Sequence, residues 1–276
     1  MEKLKESFAN DYFNLIELSH EQKLINTEMS YISISTITMI CDLSCSINTQ
    51  ALSDNFMSCD YPTCWLKKTK AHDEYELTKR GKTKKSFYNQ VTINFCDHTK
   101  KSIKVFSNGR LQITGLTSVY DTEFTINTLL KVLSLSSNSV DKDVNINDVY
   151  VKHISIAMIN SNFSFNFGLD IIKFKKKFEK MENVSIIYNP DVYPGLKVKH
   201  KTKYGVSSMF IFSTGNVVIT GVKDLKEIEE SFRLVTHLVN SDIMMYRTIF
   251  KVLKKDNNKT LTFKNGYPIH LYRSVS

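Results

Sequence analysis

No stretch of this sequence approaches the roughly 18 uninterrupted apolar residues that a membrane-spanning helix requires. Its opening residues, MEKLKESFANDYF, contain no apolar run typical of a secretory signal, so we expect neither membrane insertion nor export. Five cysteines among 276 residues are too few and too unevenly placed for a disulfide framework. We therefore expect an intracellular protein in a reducing compartment.

Motifs typical of enzymes are also missing. None of the seven histidines belongs to an HxxxH or HExxH pattern, and the chain has no P-loop, GxSxG or paired-carboxylate motif. We expect no catalytic activity, no small-molecule substrate and no cofactor. Cys41, Cys45, Cys59 and Cys64 could supply four soft zinc ligands, but their spacing lacks paired CxxC knuckles. We favour buried structural cysteines and no metal site, although the sequence alone leaves zinc open.

The composition indicates a folded domain with an uneven charge. Hydrophobic residues at 42% and charged residues at 24% are ordinary for globular proteins, while 37 Lys and Arg against 28 Asp and Glu favour a polyanionic partner. Residues 1–30 hold six acidic and three basic side chains, whereas 67–85 hold eight basic and three acidic ones. We predict one or two amphipathic helices in 1–30, with a capping box from Ser19 to Gln22, and a solvated loop at 67–85.

An internal duplication predicts the fold. Residues 105–116, VFSNGRLQITGL, align without a gap on residues 211–222, IFSTGNVVITGV, with six identities in twelve positions. A strand-like run and a short amphipathic segment precede each copy, and a helical spacing follows each. Asp224 and Glu227 would cap the second of these helices. The shared order predicts an α+β fold made of two pseudo-symmetric repeats, each an antiparallel sheet with two helices.

The predicted domain boundaries follow from the duplication. We expect an N-terminal helical appendage over 1–30, repeat 1 over 31–138 with its basic insertion at about 67–85, and repeat 2 over 150–240. Residues 241–276 are predicted to form a C-terminal helix and a hairpin that turns at Asn265-Gly266.

Each duplicated hairpin turns at a glycine, Gly109 or Gly215, which can take positive φ. Alternation in the second copy places Met209, Ile211, Val217 and Ile219 toward the helices. The opposite side then carries Phe210, Phe212 and Val218, so it is apolar as well. A sheet face of this kind must be covered by protein or by a partner.

These residues resemble the TATA-box-binding protein (TBP) family. IFSTGNVVITGVK, ending at Lys223, resembles the family hairpin IFxSGKxVxTGAK; YNPDVYPGLKVKH, from Tyr188, is similar to YEPELFPGL; and FNFGLDIIKF, from Phe165, is similar to FPIRLEGLAF. The resemblance covers about 31–240 and is specific in repeat 2. The divergence and additions resemble TBP-like proteins of large cytoplasmic DNA viruses, which implies the host cytoplasm, viral factory or virion, or the nucleus if the chain is not viral.

The resemblance implies a saddle fold that binds and bends duplex DNA through the minor groove, with aromatic wedges at base steps. The residues predicted to contact DNA are Lys104, Phe106, Arg110, Gln112, Thr114, Tyr193, Lys197, Lys199, Phe210, Phe212, Val218 and Thr220. Tyr61 or Trp65 could complete the first aromatic pair. The bases after the Tyr193 wedge are predicted phosphate contacts, namely Lys197, Lys199, His200, Lys201 and Lys203.

Departures from the family imply relaxed or altered TATA specificity. The family's paired asparagines align near Ile34 or Thr36 and on Ile156, and Lys104 and Gln112 replace aliphatic residues. Expected partners are AT-rich, promoter-like double-stranded DNA, RNA polymerase machinery and a B-type general transcription factor. That factor's contact would be formed by Asn189, Asp191 and Val192. The alternative is a protein-interaction module that keeps the fold, has lost DNA binding and scaffolds partners of a transcription complex.

Overall fold

The structure is a computed structural model that describes residues 1–59, 61–66, 90–248, 263–264 and 267–268. The predicted loop at 67–85 lies outside the described residues. The helices are α1 (Glu2–Ile25), α2 (Thr49–Asp54), α3 (Asp121–Leu135), α4 (Ile171–Phe178), α5 (Leu225–Ser241) and α6 (Ile243–Tyr246). Within the described parts of the chain, no helix combines the length and apolar character needed to cross a membrane.

The strands alternate with these helices in the order expected for two α+β repeats. They are β1 (Ser33–Leu43), β2 (Thr63–Leu66), β3 (Gln90–Cys96), β4 (Lys100–Phe106), β5 (Arg110–Leu116), β6 (Val151–Ser164), β7 (Gly168–Leu169), β8 (Val184–Ile187), β9 (Leu196–Lys201), β10 (Val206–Ile211), β11 (Asn216–Val222), β12 (Arg247–Thr248), β13 (Phe263–Lys264) and β14 (Tyr267–Pro268). The α+β class predicted from the sequence is confirmed.

The chain divides into two compact units. Of the described residues, the first unit contains those within Met1–Lys5 and Thr36–Ala157, and the second contains those within Glu6–Ser35 and from Met158 onward. In the first unit the strands are ordered β2-β3-β4-β5-β1, and in the second β6-β11-β10-β9-β8. Strands neighbouring each other in either series pair antiparallel.

Each unit buries one face of its sheet against a long helix. In the second unit Met209, Ile211, Val217 and Ile219 are fully buried, as their alternation predicts, and α5 adds Phe232, whose ring lies 4.8 Å edge-on to Phe163. In the first unit the buried strand residues Ile103, Leu111 and Ile113 are matched by Ile126, Leu129 and Leu133 of α3. Each such side chain stabilises its unit by about 1.5–3 kcal/mol.

The hairpin turns and the cap of α5 form as predicted. Gly109 and Gly215 have φ of 81° and 89°, and a Cβ at Gly215 would lie 2.1 Å from the Phe165 carbonyl oxygen. Only glycine fits this turn. Asp224 accepts a hydrogen bond from the Lys226 N–H, and Glu227 accepts one from the Asp224 N–H, which completes the capping box.

Two predictions at the ends of the chain need correction. Residues 2–25 form one continuous helix, so no capping box begins at Ser19; its buried hydroxyl instead accepts a hydrogen bond from the Ile32 N–H. The helix expected after Ser241 is a single turn, α6, and β12 follows it and pairs with β7. The predicted C-terminal hairpin is present as β13 paired with β14, with Asn265-Gly266 outside the described residues.

Candidate nucleic-acid interface

The sheet face opposite α5 carries a row of side chains that crosses four strands of the second unit. Lys197 of β9 pairs with Phe210 of β10, Phe210 pairs with Val218 of β11, and Val218 pairs with Asn162 of β6. Directly opposed residues of antiparallel strands lie on the same face of a sheet. Phe210 and Val218 are only half-buried, so the row leaves apolar surface accessible. We call the face that carries this row the outer face.

Three aromatic rings meet at one end of the outer face. Tyr193, in the loop between β8 and β9, is 46% exposed, and its ring centroid lies 5.5 Å from that of Phe210 and 5.9 Å from that of Phe212. Gly195 lies beneath the cluster, where a Cβ would approach the rings of Tyr193 and Phe212 to 2.9 Å. The Tyr193 N–H donates to the Asn189 carbonyl at 2.9 Å, which fixes the loop. The structure therefore brings together the predicted pair Tyr193 and Phe212.

A second row of the outer face is polar. Lys199 pairs with Ser208, and Ser208 pairs with Thr220. The Thr220 hydroxyl donates to Asn160 Oδ1. Sequence reasoning missed Asn160 and Asn162, since it considered only the positions where the family has asparagines. The period-two spacing of Asn160, Asn162 and Ser164 on a predicted strand was the available signal.

The four predicted phosphate-binding lysines differ in their exposure and in whether they already have an acidic partner. Lys197 is half-buried with Nζ 5.6 Å from the centroid of the Phe210 ring, while Lys199 and Lys201 are exposed. Lys203 is paired with Glu230 at 3.7 Å, beyond the end of β9. Three lysines of β9 are thus available to an anion.

His200 does not belong with these lysines. Strand alternation turns its side chain toward α5, where it is 5% exposed and its Nδ1 lies 3.1 Å from the Ser231 hydroxyl. Burial lowers the pKa of His200, although Glu230 acts in the opposite direction. The imidazole is therefore a neutral core group, and its assignment as a phosphate contact is wrong.

An open cavity of about 400 Å³ adjoins the aromatic cluster on the second unit. Phe212 and Val218 supply apolar walls, while Asn162, Ser164 and Asn216 supply polar ones. Beside it, Ser33 Oγ donates to Asn162 Oδ1 at 3.0 Å. The outer face thus combines apolar surface, hydroxyl and amide groups, and flanking positive charge.

The first unit presents a different row at the corresponding positions. Thr92 pairs with Lys104, Lys104 with Gln112, and Gln112 with Ile40. In the adjoining row the Thr114 hydroxyl donates to the Ser102 carbonyl at 3.3 Å. The first unit therefore presents a cation and an amide where the second presents Phe210 and Val218.

The ends of this first face carry the remaining predicted contacts. Phe106 is half-buried opposite the β3 residue Gln90, and among the described residues it has no aromatic partner. Arg110 Nε lies 3.0 Å from Asp42, so its charge is already paired. Both residues lie at the hairpin end of the unit, Phe106 closing β4 and Arg110 opening β5.

Trp65 and Tyr61 occupy positions unlike that of Tyr193. Trp65 lies inside β2, paired with Asn94, with Lys100 Nζ 5.7 Å from its ring centroid. Tyr61 precedes β2 and is 59% exposed. Tyr193 instead lies between the outermost two strands of its sheet, and the corresponding connection in the first unit falls among residues 67–89, outside the described part.

The residues predicted to contact a B-type factor lie together in the loop before Tyr193. Asn189 Oδ1 accepts a hydrogen bond from the Asp191 N–H at 3.2 Å, which closes a tight turn. Val192 follows with 80% of its surface exposed. The turn therefore displays one carboxylate and one apolar side chain to solvent.

The cysteines of the first unit do not assemble a metal centre within the described residues. No three His, Cys, Asp or Glu side chains there are grouped so that they could hold an ion. Burial raises the pKa of the Cys41 thiol to about 12 and that of the Cys64 thiol to about 11. Both thiols are therefore protonated at neutral pH.

Comparison with known proteins gives consistent matches. Residues 153–241 match the family model described as transcription factor TFIID (or TATA-binding protein, TBP). A TATA-box-binding protein-like protein of Acanthamoeba polyphaga mimivirus is 26% identical over 81% of this chain and 66% of its own length, so the chain spans just under two thirds of that relative. The TATA-box-binding protein of Methanothrix thermoacetophila is 28% identical over 60% of this chain and 87% of its own length. The solved structure of Methanococcus jannaschii TBP has a TM-score of 0.49 at 16% identity, covering 76% of this chain and 98% of its own.

Proposed function

The chain is a divergent TBP-like protein, and from this premise we propose that it is a DNA-binding transcription initiation factor that bends duplex DNA through the minor groove. The observation that carries the proposal is the accessible cluster of Tyr193, Phe210 and Phe212 on the outer face of the second unit. Minor-groove binders insert apolar wedges between base steps and kink the duplex. An aromatic cluster at one end of a sheet face, above a glycine, is suited to this role.

Cations at the edge of the outer face support the same function. The three lysines Lys197, Lys199 and Lys201 alternate with buried residues on β9, so their side chains leave the core. Unstacking one base step costs a few kcal/mol, which apolar contact and phosphate neutralisation must offset. Lysines beside the wedge place positive charge where a kinked backbone would approach.

The proposed specificity is relaxed relative to a TATA element. Ile34 or Thr36 in the first repeat, and Ile156 in the second, stand where the family resemblance leads one to expect amides, and Lys104 with Gln112 makes the first outer face polar. A lysine in a groove seeks phosphate or a base acceptor rather than sugar carbons. We expect AT-rich DNA to be preferred, with the second unit supplying the stronger wedge.

The protein partners follow from the family and from the exposed turn at 189–192. Asp191 and Val192 would contact a B-type general transcription factor, which in turn would recruit RNA polymerase machinery. The second candidate function is a scaffold that has lost DNA binding. It is favoured by the paired state of Arg110 and by the polar first face, which leave fewer groove contacts than the fold could provide.

A bending assay separates the two functions. Duplexes of AT-rich and GC-rich sequence, labelled at both ends, should shorten end to end when the protein binds, and binding should weaken with salt. Tyr193→Ala combined with Phe212→Ala should abolish the shortening and leave folding intact. Tyr204→Ala, which removes a tyrosine of 45% exposure from the β9–β10 turn, is the matched control. Bound DNA that stays straight with the unaltered protein would refute the bending function.

A further inference from the structure

We propose that the amide of Asn162, held by Ser33, reads the minor-groove edge of one base pair and makes the half-site under the second unit prefer A·T to G·C. The inference rests on the proposed function, because it assumes that the outer face receives a duplex. It assigns a specificity role to a residue outside the positions where the family resemblance leads one to expect an asparagine. It also names a positioning role for Ser33.

The position of Asn162 places it on the contact surface. It pairs with Val218, which pairs with Phe210, so it belongs to the same cross-strand row as the aromatic cluster. Adjacent strands lie about 4.8 Å apart, which puts Asn162 about two strand spacings from Phe210 along the row. The side chain is exposed and lines the 400 Å³ cavity beside Phe212. A base edge or sugar could enter there without moving the main chain.

The orientation of the amide decides which base it can recognise. Ser33 Oγ donates to Asn162 Oδ1 at 3.0 Å and also lies 3.4 Å from the Asn162 main-chain oxygen, so the carbonyl end of the amide is turned toward Ser33. Among the described residues none accepts a hydrogen bond from Asn162 Nδ2. The amide therefore presents two unused donor hydrogens, and an acceptor is the group that would satisfy them.

The minor groove supplies such acceptors selectively. Adenine N3 and thymine O2 are acceptors, whereas a G·C pair adds the guanine N2 amino group, which is a donor. Two donors facing each other leave both without a partner, and an unpaired polar group in a closed interface is unfavourable. An Asn162 amide fixed with Nδ2 outward therefore favours A·T.

Asn216 is a second asparagine of the same cavity, and its hydrogen bonds differ from those of Asn162. It lines the same cavity and is also exposed, yet its Nδ2 already donates to Thr214 Oγ1 at 3.1 Å. An amide whose donor is used within the chain has less to offer a base. Of these two asparagines, only Asn162 has both amide hydrogens unused among the described residues.

The test measures the affinity of the protein for a series of AT-rich duplexes that differ at one position. Each position in turn carries A·T, G·C or inosine·cytosine. Inosine lacks the N2 amino group, so its minor-groove edge resembles that of A·T. The unaltered protein should bind the A·T and inosine duplexes alike and lose roughly three- to tenfold in affinity for G·C at one position, the size expected of one hydrogen bond. Asn162→Ala should erase that difference.

Two further variants distinguish reading from folding. Ser33→Ala should leave affinity for A·T nearly unchanged but raise affinity for G·C at the same position, because a released amide can rotate and accept from the guanine amino group. Asn216→Ala, the matched control, should leave the preference intact. Neither exposed substitution should alter thermal unfolding by more than a few degrees.

The outcomes separate this inference from the proposed function. If the duplex is bound and bent but Asn162→Ala keeps the full preference, the inference is wrong and the function stands. The same holds if inosine behaves like guanine. If the unaltered protein binds no duplex, both fail together.

Discussion

The two repeats share a hairpin of nearly the same sequence, yet their outer faces differ in chemistry. In the second repeat, two adjacent strands carry Phe210 and Val218. The equivalent strands of the first repeat carry Lys104 and Gln112, each 106 positions earlier in the sequence. The buried faces of both repeats are predominantly apolar. Divergence has therefore preserved the positions that hold each sheet to its helix and has changed those that a partner would meet.

The cores also differ in one polar feature. Lys101 of the first repeat is 3% exposed and bonds Asp97 Oδ1 at 2.6 Å, whereas its counterpart Ser207 bonds the hydroxyl of Ser231. Burial raises the pKa of Asp97, but hydrogen bonds from Lys101 and from main-chain N–H groups outweigh that and hold it at about 2. One repeat thus encloses an ion pair and the other a neutral network.

The largest expected effect is the loss of that ion pair. Asp97→Ala leaves the Lys101 ammonium buried without its partner, so the free energy of unfolding of the first repeat should fall by about 3–5 kcal/mol. Ser207→Ala in the second repeat should cost only about 1 kcal/mol. Denaturant unfolding, with hydrogen exchange read separately for each repeat, measures both. Equal losses would show that the two cores are equivalent.

The next largest effects are expected from substitutions of the aromatic residues that would contact DNA. Phe212→Ala should weaken duplex binding by about 2 kcal/mol, roughly 30-fold, because it removes one ring of a three-ring cluster. Phe106→Ala should cost less, since among the described residues Phe106 has no ring beside it. Fluorescence titration of the same labelled duplex with both variants gives the comparison. A larger loss from Phe106→Ala would reverse our ranking of the two repeats.

Acid should destabilise the repeats in different pH ranges. Burial lowers the pKa of His200 below its ordinary value of 6.5, so the unfolded chain takes up a proton that the folded second repeat does not. Its stability should fall as the pH drops below about 6.5, while the contribution of Asp97 should persist until the pH falls from about 4 toward 2. Hydrogen exchange at pH 7 and pH 5 tests this.

His200→Gln should flatten the response of the second repeat between those two pH values. The exposed His98→Gln should not change it. A first repeat that loosened before the second on acidification would contradict the assignment of the buried imidazole.

The smallest effect concerns salt. Lys104→Phe combined with Gln112→Val gives the first repeat the outer row of the second, and should lower the slope of log affinity against log salt by about 0.9 if Lys104 meets a phosphate. The reverse exchange, Phe210→Lys with Val218→Gln, should raise the slope by a similar amount. Unchanged slopes in both proteins would mean that this row does not approach the DNA backbone.

Local chemistry made much of the fold predictable. The turns at Gly109 and Gly215, the buried alternation of Ile211 and Ile219, and the capping box of α5 each depend on residues within a few positions of one another. The family resemblance added the pairing of Tyr193 with Phe212, which the structure places within contact. Such features are encoded over one hairpin or one helical turn.

Features that depend on distant residues were missed or misjudged. His200 was grouped with the lysines around it, although its ring lies against Ser231 of α5, 31 residues further along the chain. Ser19 was read as a helix start because Gln22 follows it, yet it binds Ile32 after the chain has turned back.

The sequence by itself determined the duplication, the strand and helix order and the two faces of each hairpin, because period-two and helical spacing act between near neighbours. Only the tertiary structure decided that Ser33 meets Asn162, since 129 residues separate them and no local pattern records which strands become neighbours. That contact orients an amide, and the orientation of a side chain is set by what packs beside it rather than by its place in the chain.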